Sequence, residues 1–425
     1  MSGRRVFIAG GHITPFIGKG SKNFIWKKHP DFGKRTNPEV KDYIADSIKG
    51  ALSAVSGSAS AAGEAMDRVY VGNFAGELFN QQGHLGAAVA AGEPSLLYKP
   101  SMRVEGACAS GGLAAAAAVQ AVKAGDDCVL AVGAEMQSAA SAREGGTFLA
   151  RAADFNRQAG IDDFTFPCLF ARRTKAYLSK YPHASFADLG AISAKAYGNG
   201  NLNPLAHMHS MKVSTEYASD VSDKNPNFLS NEDFRSYLKV TDCSQVSDGG
   251  AACVFASEEG LKKLGRSVDD CIEVLGNDYG AGDLWSDPPD LTEMTTTKTV
   301  VRRMLAKHGV KLEDVGVAEL HDCFTLAEML AYEAIGLAEA GQGCEVVRSG
   351  MTSLTGKLPV NTGGGLISFG HPVGATGVKQ IMEVYRQMKG LCGDYQLSKR
   401  PELGMTVNMG GDDKTVATML LKNMA

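Results

Sequence analysis

The sequence predicts an α/β protein made of two similar halves, and three observations predict it. Short apolar strands alternate with helices along most of the chain, the pattern of a sheet covered by helices. The segment DCVLAVG at 127–133 is apolar at nearly every position, as a strand buried on both faces should be. The order strand, turn, helix, strand over 101–133 then recurs over 358–411.

The elements follow in order. Residues 6–9 (VFIA) run into Gly10 and Gly11 and form the first strand. Pro38 opens an amphipathic helix to about Val55, with Val40, Tyr43, Ile44, Ile48 and Leu52 on one face. Residues 69–72 and 101–105 are the next strands. After a turn at Cys108, residues 113–123 are rich in alanine, which loses no side-chain entropy on entering a helix. Ser110 or Gly111 supplies the N-cap region and leaves Cys108 just before the first turn. Free N–H groups there favour a thiolate over a thiol. From 138 to 239 aromatics, charges and short helical pieces replace the small-residue pattern, which predicts an inserted substrate-binding region. Residues 241–257 restore the strand pattern and close the first half. The second half is expected to hold a strand from 272, helices at 299–308 and 325–336, a strand at 315–320, a turn and helix at 370–390, and a strand at 405–408. The expected division is 1–137 with 240–270, the insert 138–239, and 271–425.

Composition narrows the function. A chain of 425 residues with 44% apolar and 21% charged residues can bury a sizeable core. A net charge of −4 does not suit a nucleic-acid binder. Gln120 and Lys123 interrupt the alanine run, so no membrane span is expected. Nine cysteines without paired CxxC spacing read as reduced thiols in an intracellular compartment. The C-terminus is not an SKL-type address, and no signal peptide is visible, so mitochondrial matrix or cytoplasm is expected rather than peroxisome. His207 and His209, two apart, point away from each other on a helix, and no metal is expected. Lys19, Lys22, Lys27, Lys28, Lys34 and Arg35 form a basic segment that is either a solvated loop or a lip for an anionic ligand.

Chemistry-bearing residues collect where strands give way to turns, the place where open α/β sheets bind ligands. They are EGACASGG around Cys108, HDCF at 321–324, NTGGG at 361–365, GHPVGATG at 370–377 and NMGG at 408–411. Each is weak alone. In this order, over nearly the whole chain, they resemble the thiolase family, whose pattern is C-x-S, an N-E-A-F-type loop, G-H-P-x-G-A-T-G and C-x-G. Two motifs depart from it. The loop reads His321-Asp322-Cys323-Phe324, and the last motif carries Asn408 in place of cysteine. That exchange resembles the sterol-carrier-protein type of thiolase, here without room for a fused sterol-carrier domain.

The resemblance implies a five-layered α-β-α-β-α fold, a homodimer, and CoA-dependent cleavage of 3-ketoacyl-CoA to acetyl-CoA and a shortened acyl-CoA. Coenzyme A is then a co-substrate, and no cofactor is held permanently. It implies Cys108 as nucleophile, His371 as its base and Cys323 as the second acid/base. His371 and a water on His321 would bind the enolate oxygen, and the N–H groups of Cys108 and Gly410 the tetrahedral oxyanion. Asn408, which has no titratable proton, is left as a hydrogen-bonding spacer. Arg172 and Arg173 are candidate CoA contacts. Two alternatives stand beside this reading: an acyl-CoA-binding protein of the same fold without turnover, and a ketoacyl-synthase-like condensing enzyme that would use His321 as its second histidine.

Overall fold

Nine strands carry the fold in the structure, a computed structural model that describes residues 3–424. They are β1 (Phe7–Ile13), β2 (Arg68–Gly72), β3 (Ser101–Val104), β4 (Cys128–Glu135), β5 (Gly249–Ala256), β6 (Ile272–Ala281), β7 (Val317–Glu319), β8 (Leu403–Gly410) and β9 (Thr415–Asn423). Their spatial order is β3-β2-β4-β5-β1-β6-β9-β8-β7, so the first half supplies five neighbours and the second half four. The two expected sheets therefore share an edge, where Phe7 pairs with Glu273 and Ile8 with Ile272.

The duplication is visible strand by strand. In the first half β2 lies parallel to β3 and β4, and β4 runs antiparallel to β5. In the second half β7 lies parallel to β8, and β8 antiparallel to β9. A parallel bridge between Ala318 and Val360 takes the place that β3 holds in the first half. Strand β9 is an addition to the strands expected from the sequence, and it pairs with both β6 and β8.

Helices form the other three layers. Helix Val40–Ser56 buries the apolar face expected for it, Val40, Tyr43, Ile44, Ile48 and Leu52, against the first half-sheet. Helices Thr295–His308 and Thr325–Ile335 cover the second half-sheet from the other side. Between the half-sheets lie the alanine-rich helix Ser110–Ala124 and its counterpart Thr376–Lys389. These two approach more closely than side chains would allow. A Cβ on Gly377 would sit 2.1 Å from the Gly112 nitrogen, and one on Gly111 would sit 2.6 Å from the Gly374 carbonyl oxygen. The small residues on each side of the nucleophile turn are thus a packing requirement. They bring the N-termini of both central helices to one point.

Residues 138–239 contain helices such as Thr165–Lys180 and Phe186–Gly200 and, among the described residues, no strand of the main sheet. Phe170, Tyr177, Leu189 and Tyr197 pack them onto the core of the second half. Contrary to the expectation for the alanine run, the segment Ala107–Ala124 is long and apolar enough to cross a membrane by composition alone. Two thirds of it is buried inside the protein, as a core helix requires.

Candidate active site

Cys108 lies in a short 3₁₀ turn, Ala107–Ala109, just before the central helix. Ala107 has φ +53°, a left-handed conformation that a non-glycine residue adopts only when its surroundings hold it there. They do so through Ser110. Its hydroxyl donates to the Ala107 carbonyl at 2.6 Å and accepts from the Gly106 N–H at 3.0 Å. Ser110 therefore locks the turn behind it, whereas the sequence suggested a cap on the helix ahead. Of the nine cysteines, Cys108 alone keeps partial exposure, at the mouth of an otherwise enclosed turn.

Three functional side chains converge. The ligating atoms of Cys108, His321 and His371 all lie within 4.8 Å of one another, and the two imidazoles meet edge to face with centroids 5.1 Å apart. They line a cavity of about 360 Å³ together with Cys323 and Gly411. Much of its remaining wall is apolar, with Phe79, Leu149, Phe164, Phe166, Phe170 and Val246. Cys323 stands outside the 4.8 Å group but on the same cavity.

The tautomers of both histidines follow from their partners. Thr376 donates its hydroxyl proton to the Pro372 carbonyl at 3.1 Å, so it accepts from His371 Nδ1, 2.7 Å away. That leaves a lone pair on His371 Nε2 for Cys108. Asn408 decides the other ring. Its Oδ1 accepts from the Gly112 N–H at 3.1 Å and its Nδ2 donates to the Cys108 carbonyl at 3.0 Å, which fixes the amide's orientation. The same Nδ2 lies 3.2 Å from His321 Nδ1, which must then be the acceptor. His321 accordingly carries its proton on Nε2 and is a donor. Asn408 is more than a spacer: it ties the nucleophile turn to the second histidine.

Burial sets the resting charges. It pushes the Cys108 thiol up to about 12, with Glu135 and Glu105 adding to the effect and the Gly411 N–H opposing it. The expected thiolate at the helix N-terminus is not the resting state, because enclosure outweighs the helix dipole. Burial lowers His371 to about 3 and His321 well below its usual range. Burial also raises Cys323 well above a free thiol, and Cys108 beside it adds to the shift. The resting site thus holds two neutral thiols and two neutral imidazoles. Iodoacetamide alkylation of Cys108 should be slow at pH 7 and rise about tenfold per pH unit up to pH 9, as the thiolate fraction rises. A rate already level below pH 8 would show a preformed thiolate.

The remaining site residues hold the turns in place. Asp322 accepts the N–H groups of Leu366 at 2.7 Å and Ile367 at 3.4 Å, joining the 321–324 loop to the glycine-rich loop. Burial, and Glu328 next, push its carboxyl up to about 8. Phe324 stacks on Phe170 with centroids 4.4 Å apart. Glu135 accepts from the N–H groups of Phe74, Ala75 and Gly374 and so braces the loop that carries His371. None of these second partners could be told from ordinary core polar residues in the sequence.

The remaining candidates differ in how they meet the site. Gly410 is the last residue of β8, in register with Thr415, and a Cβ there would lie 2.1 Å from the Gly106 carbonyl oxygen. The next residue, Gly411, lines the cavity together with Cys108. Arg173 is fully buried against Asp412 and is not free for a CoA phosphate, whereas Arg172 pairs through Nη1 with Asp287 at 3.5 Å and leaves Nε and Nη2 without a partner. In the basic segment, Lys19 and Phe24 line the cavity itself.

Comparison with known proteins agrees with this geometry. Residues 31–167 match the thiolase N-terminal domain and 282–423 the thiolase C-terminal domain-like family. The chain is 32% identical to an acetyl-CoA acetyltransferase of Methanothermobacter thermautotrophicus, over 91% of this chain and 95% of that one. It belongs to the thiolase family. It is also 28% identical to sterol carrier protein 2 of Gallus gallus, over 96% of this chain and 70% of that one. A monomeric SCP2-thiolase-like protein of Mycobacterium smegmatis has the same fold, with a TM-score of 0.69 and 16% identity over 100% of this chain and 78% of that one. The protein is thus an acyltransferase of thiolase type, with the α/β thiolase fold and a likeness to sterol-carrier-protein thiolases that the HDCF loop suggested.

Proposed function

We propose that this thiolase cleaves 3-ketoacyl-CoA with coenzyme A, yielding acetyl-CoA and an acyl-CoA shorter by two carbons. The observation that carries the reading is one apolar cavity holding a thiol, an imidazole with a free Nε2 and a second, protonated thiol.

Each group has a step. His371 Nε2 takes the Cys108 proton as the sulfur attacks the 3-keto carbon, and the resulting oxyanion is met by backbone N–H groups of the nucleophile turn and the 410–411 turn. Collapse breaks the Cα–Cβ bond and leaves an acyl-Cys108 and the enolate of acetyl-CoA. His321, with its proton on Nε2, and the His371 imidazolium face that enolate oxygen. Cys323 gives its proton to the enolate carbon, and its thiolate then takes the proton of the incoming CoA thiol. CoA sulfur attacks the acyl group, Cys108 leaves as thiolate, and His371 returns its proton.

CoA and acyl-CoA are the partners in this reading, with no resident cofactor. The edge strand β3, with Met102 and the neighbouring Leu97 and Tyr98 exposed, supports the homodimer. The apolar wall supports substrates longer than acetoacetyl-CoA. The test is loss of 3-ketoacyl-CoA absorbance on adding CoA, over short, long and 2-methyl-branched esters. We expect turnover, with kcat/KM rising about fourfold per methylene until the cavity fills, the value of about 0.8 kcal/mol for each buried CH₂. Binding without turnover would leave an acyl-CoA carrier. The closeness of Cys108, His321 and His371 also suits a decarboxylating condensation. That second reading requires activity with a malonyl thioester and has no use for Cys323.

A further inference from the structure

The turn between β8 and β9 carries Gly411, which lines the cavity beside Cys108, and it is held from outside the nucleophile's own half. Asp413 has φ +59°, a left-handed conformation uncommon for a residue with a side chain. A Cβ on Gly411 would meet the Ala152 carbonyl oxygen of the insert at 2.7 Å. The two acidic residues that follow anchor it in different places. Asp413 accepts from the N–H groups of Thr296 at 2.8 Å and Thr297 at 3.0 Å and from the Thr297 hydroxyl at 2.6 Å, at the start of helix Thr295–His308. Asp412 accepts from Arg173 Nε at 2.5 Å.

Arg173 is the unusual member. It sits in the middle of the insert helix Thr165–Lys180 with no exposed surface, and Asp412 is 4% exposed. Its Nη1 donates to the carbonyls of Leu291 at 2.8 Å and Glu293 at 3.1 Å. A guanidinium and a carboxylate this deep are costly unless they hold each other, and the pair is often no more stable than apolar residues of the same volume. Such a pair fixes geometry more than it adds stability. Resting on the thiolase reading above, we propose that Arg173 and Asp412 are positioning residues that hold the β8–β9 turn so that the Gly411 N–H stays beside Cys108. The insert that closes the acyl cavity thereby also sets the donor beside the nucleophile.

Single removals leave an unpaired buried charge, so the informative variant takes out both: Arg173→Met with Asp412→Leu, beside Asp412→Asn, which keeps the shape and an acceptor oxygen. Three readouts apply to the full-length protein: thermal unfolding, the kcat and KM of thiolysis, and the rate of Cys108 alkylation by iodoacetamide at pH 8 measured on the Cys108 peptide. We expect the double variant to fold with a near-native melting temperature, to lose about 10- to 100-fold in kcat with KM changed less than about threefold, and to alkylate about tenfold more slowly. Asp412→Asn should recover most of both rates. A folded double variant with native kcat and native alkylation overturns the proposal. If the wild type shows no thiolysis, the alkylation arm still decides: slower alkylation in the double variant supports the positioning role although the thiolase reading has failed, and an unchanged rate overturns it.

Discussion

Replacing Cys108 by alanine should abolish turnover while leaving the melting temperature within a few degrees of wild type. Its side chain is only partly exposed, and the turn is held by backbone and by Ser110 and Asn408 without its sulfur. Loss of the nucleophile removes the covalent route altogether, so the residual rate should fall by at least about 10⁴-fold. Wild-type protein given a 3-ketoacyl-CoA and no free CoA should retain one acyl group, found by mass on the Cys108 peptide. Only two of the other eight cysteines, Cys323 and Cys243, share the cavity, which makes that assignment sharp. An adduct on Cys323 or on Cys243, which also lines the cavity, with Cys108→Ala still active, would transfer the nucleophile's role to that thiol.

Cys323→Ala should lower kcat by about 10²–10⁴, the usual range for a lost general acid/base. The proton for the leaving enolate has few other sources. His371 is committed to Cys108, and His321 is held too far below neutrality to arrive protonated at pH 7. Asn408 donates its amide protons to His321 and the Cys108 carbonyl and cannot release one. A pre-activated acyl donor needs no enolate protonation, so acylation of Cys108 by it should slow far less than deacylation by CoA. Adding Asn408→Cys to this variant would restore the arrangement common in thiolases, yet no recovery is expected. The new thiol would forfeit the bonds to Gly112, Cys108 and His321 that keep the site assembled. Near-wild-type kcat in Cys323→Ala would point to another proton source, with His321 the first to test.

The sequence by itself determined the duplicated α/β architecture, the order of nearly all its strands, and the identity of the four side chains that meet at the cavity. It could do so because those features are local. Apolar runs of strand length, an alanine helix and glycine-rich turns state their conformation within a few residues, and a thiol or imidazole at a strand end declares its chemistry. The likeness to thiolases added the roles. Tertiary structure decided what depends on contacts between distant segments. Only the fold brings Asn408 to His321, Thr376 to His371 and Asp322 to the 366–367 backbone, and these contacts choose tautomers and orientation. Only enclosure by both halves and the insert turns an expected thiolate into a thiol, since desolvation sums over every neighbouring segment while the helix dipole acts from one. The same holds for Arg173, which the sequence offered as a CoA contact and whose actual partner lies 239 residues away in the turn beside the nucleophile.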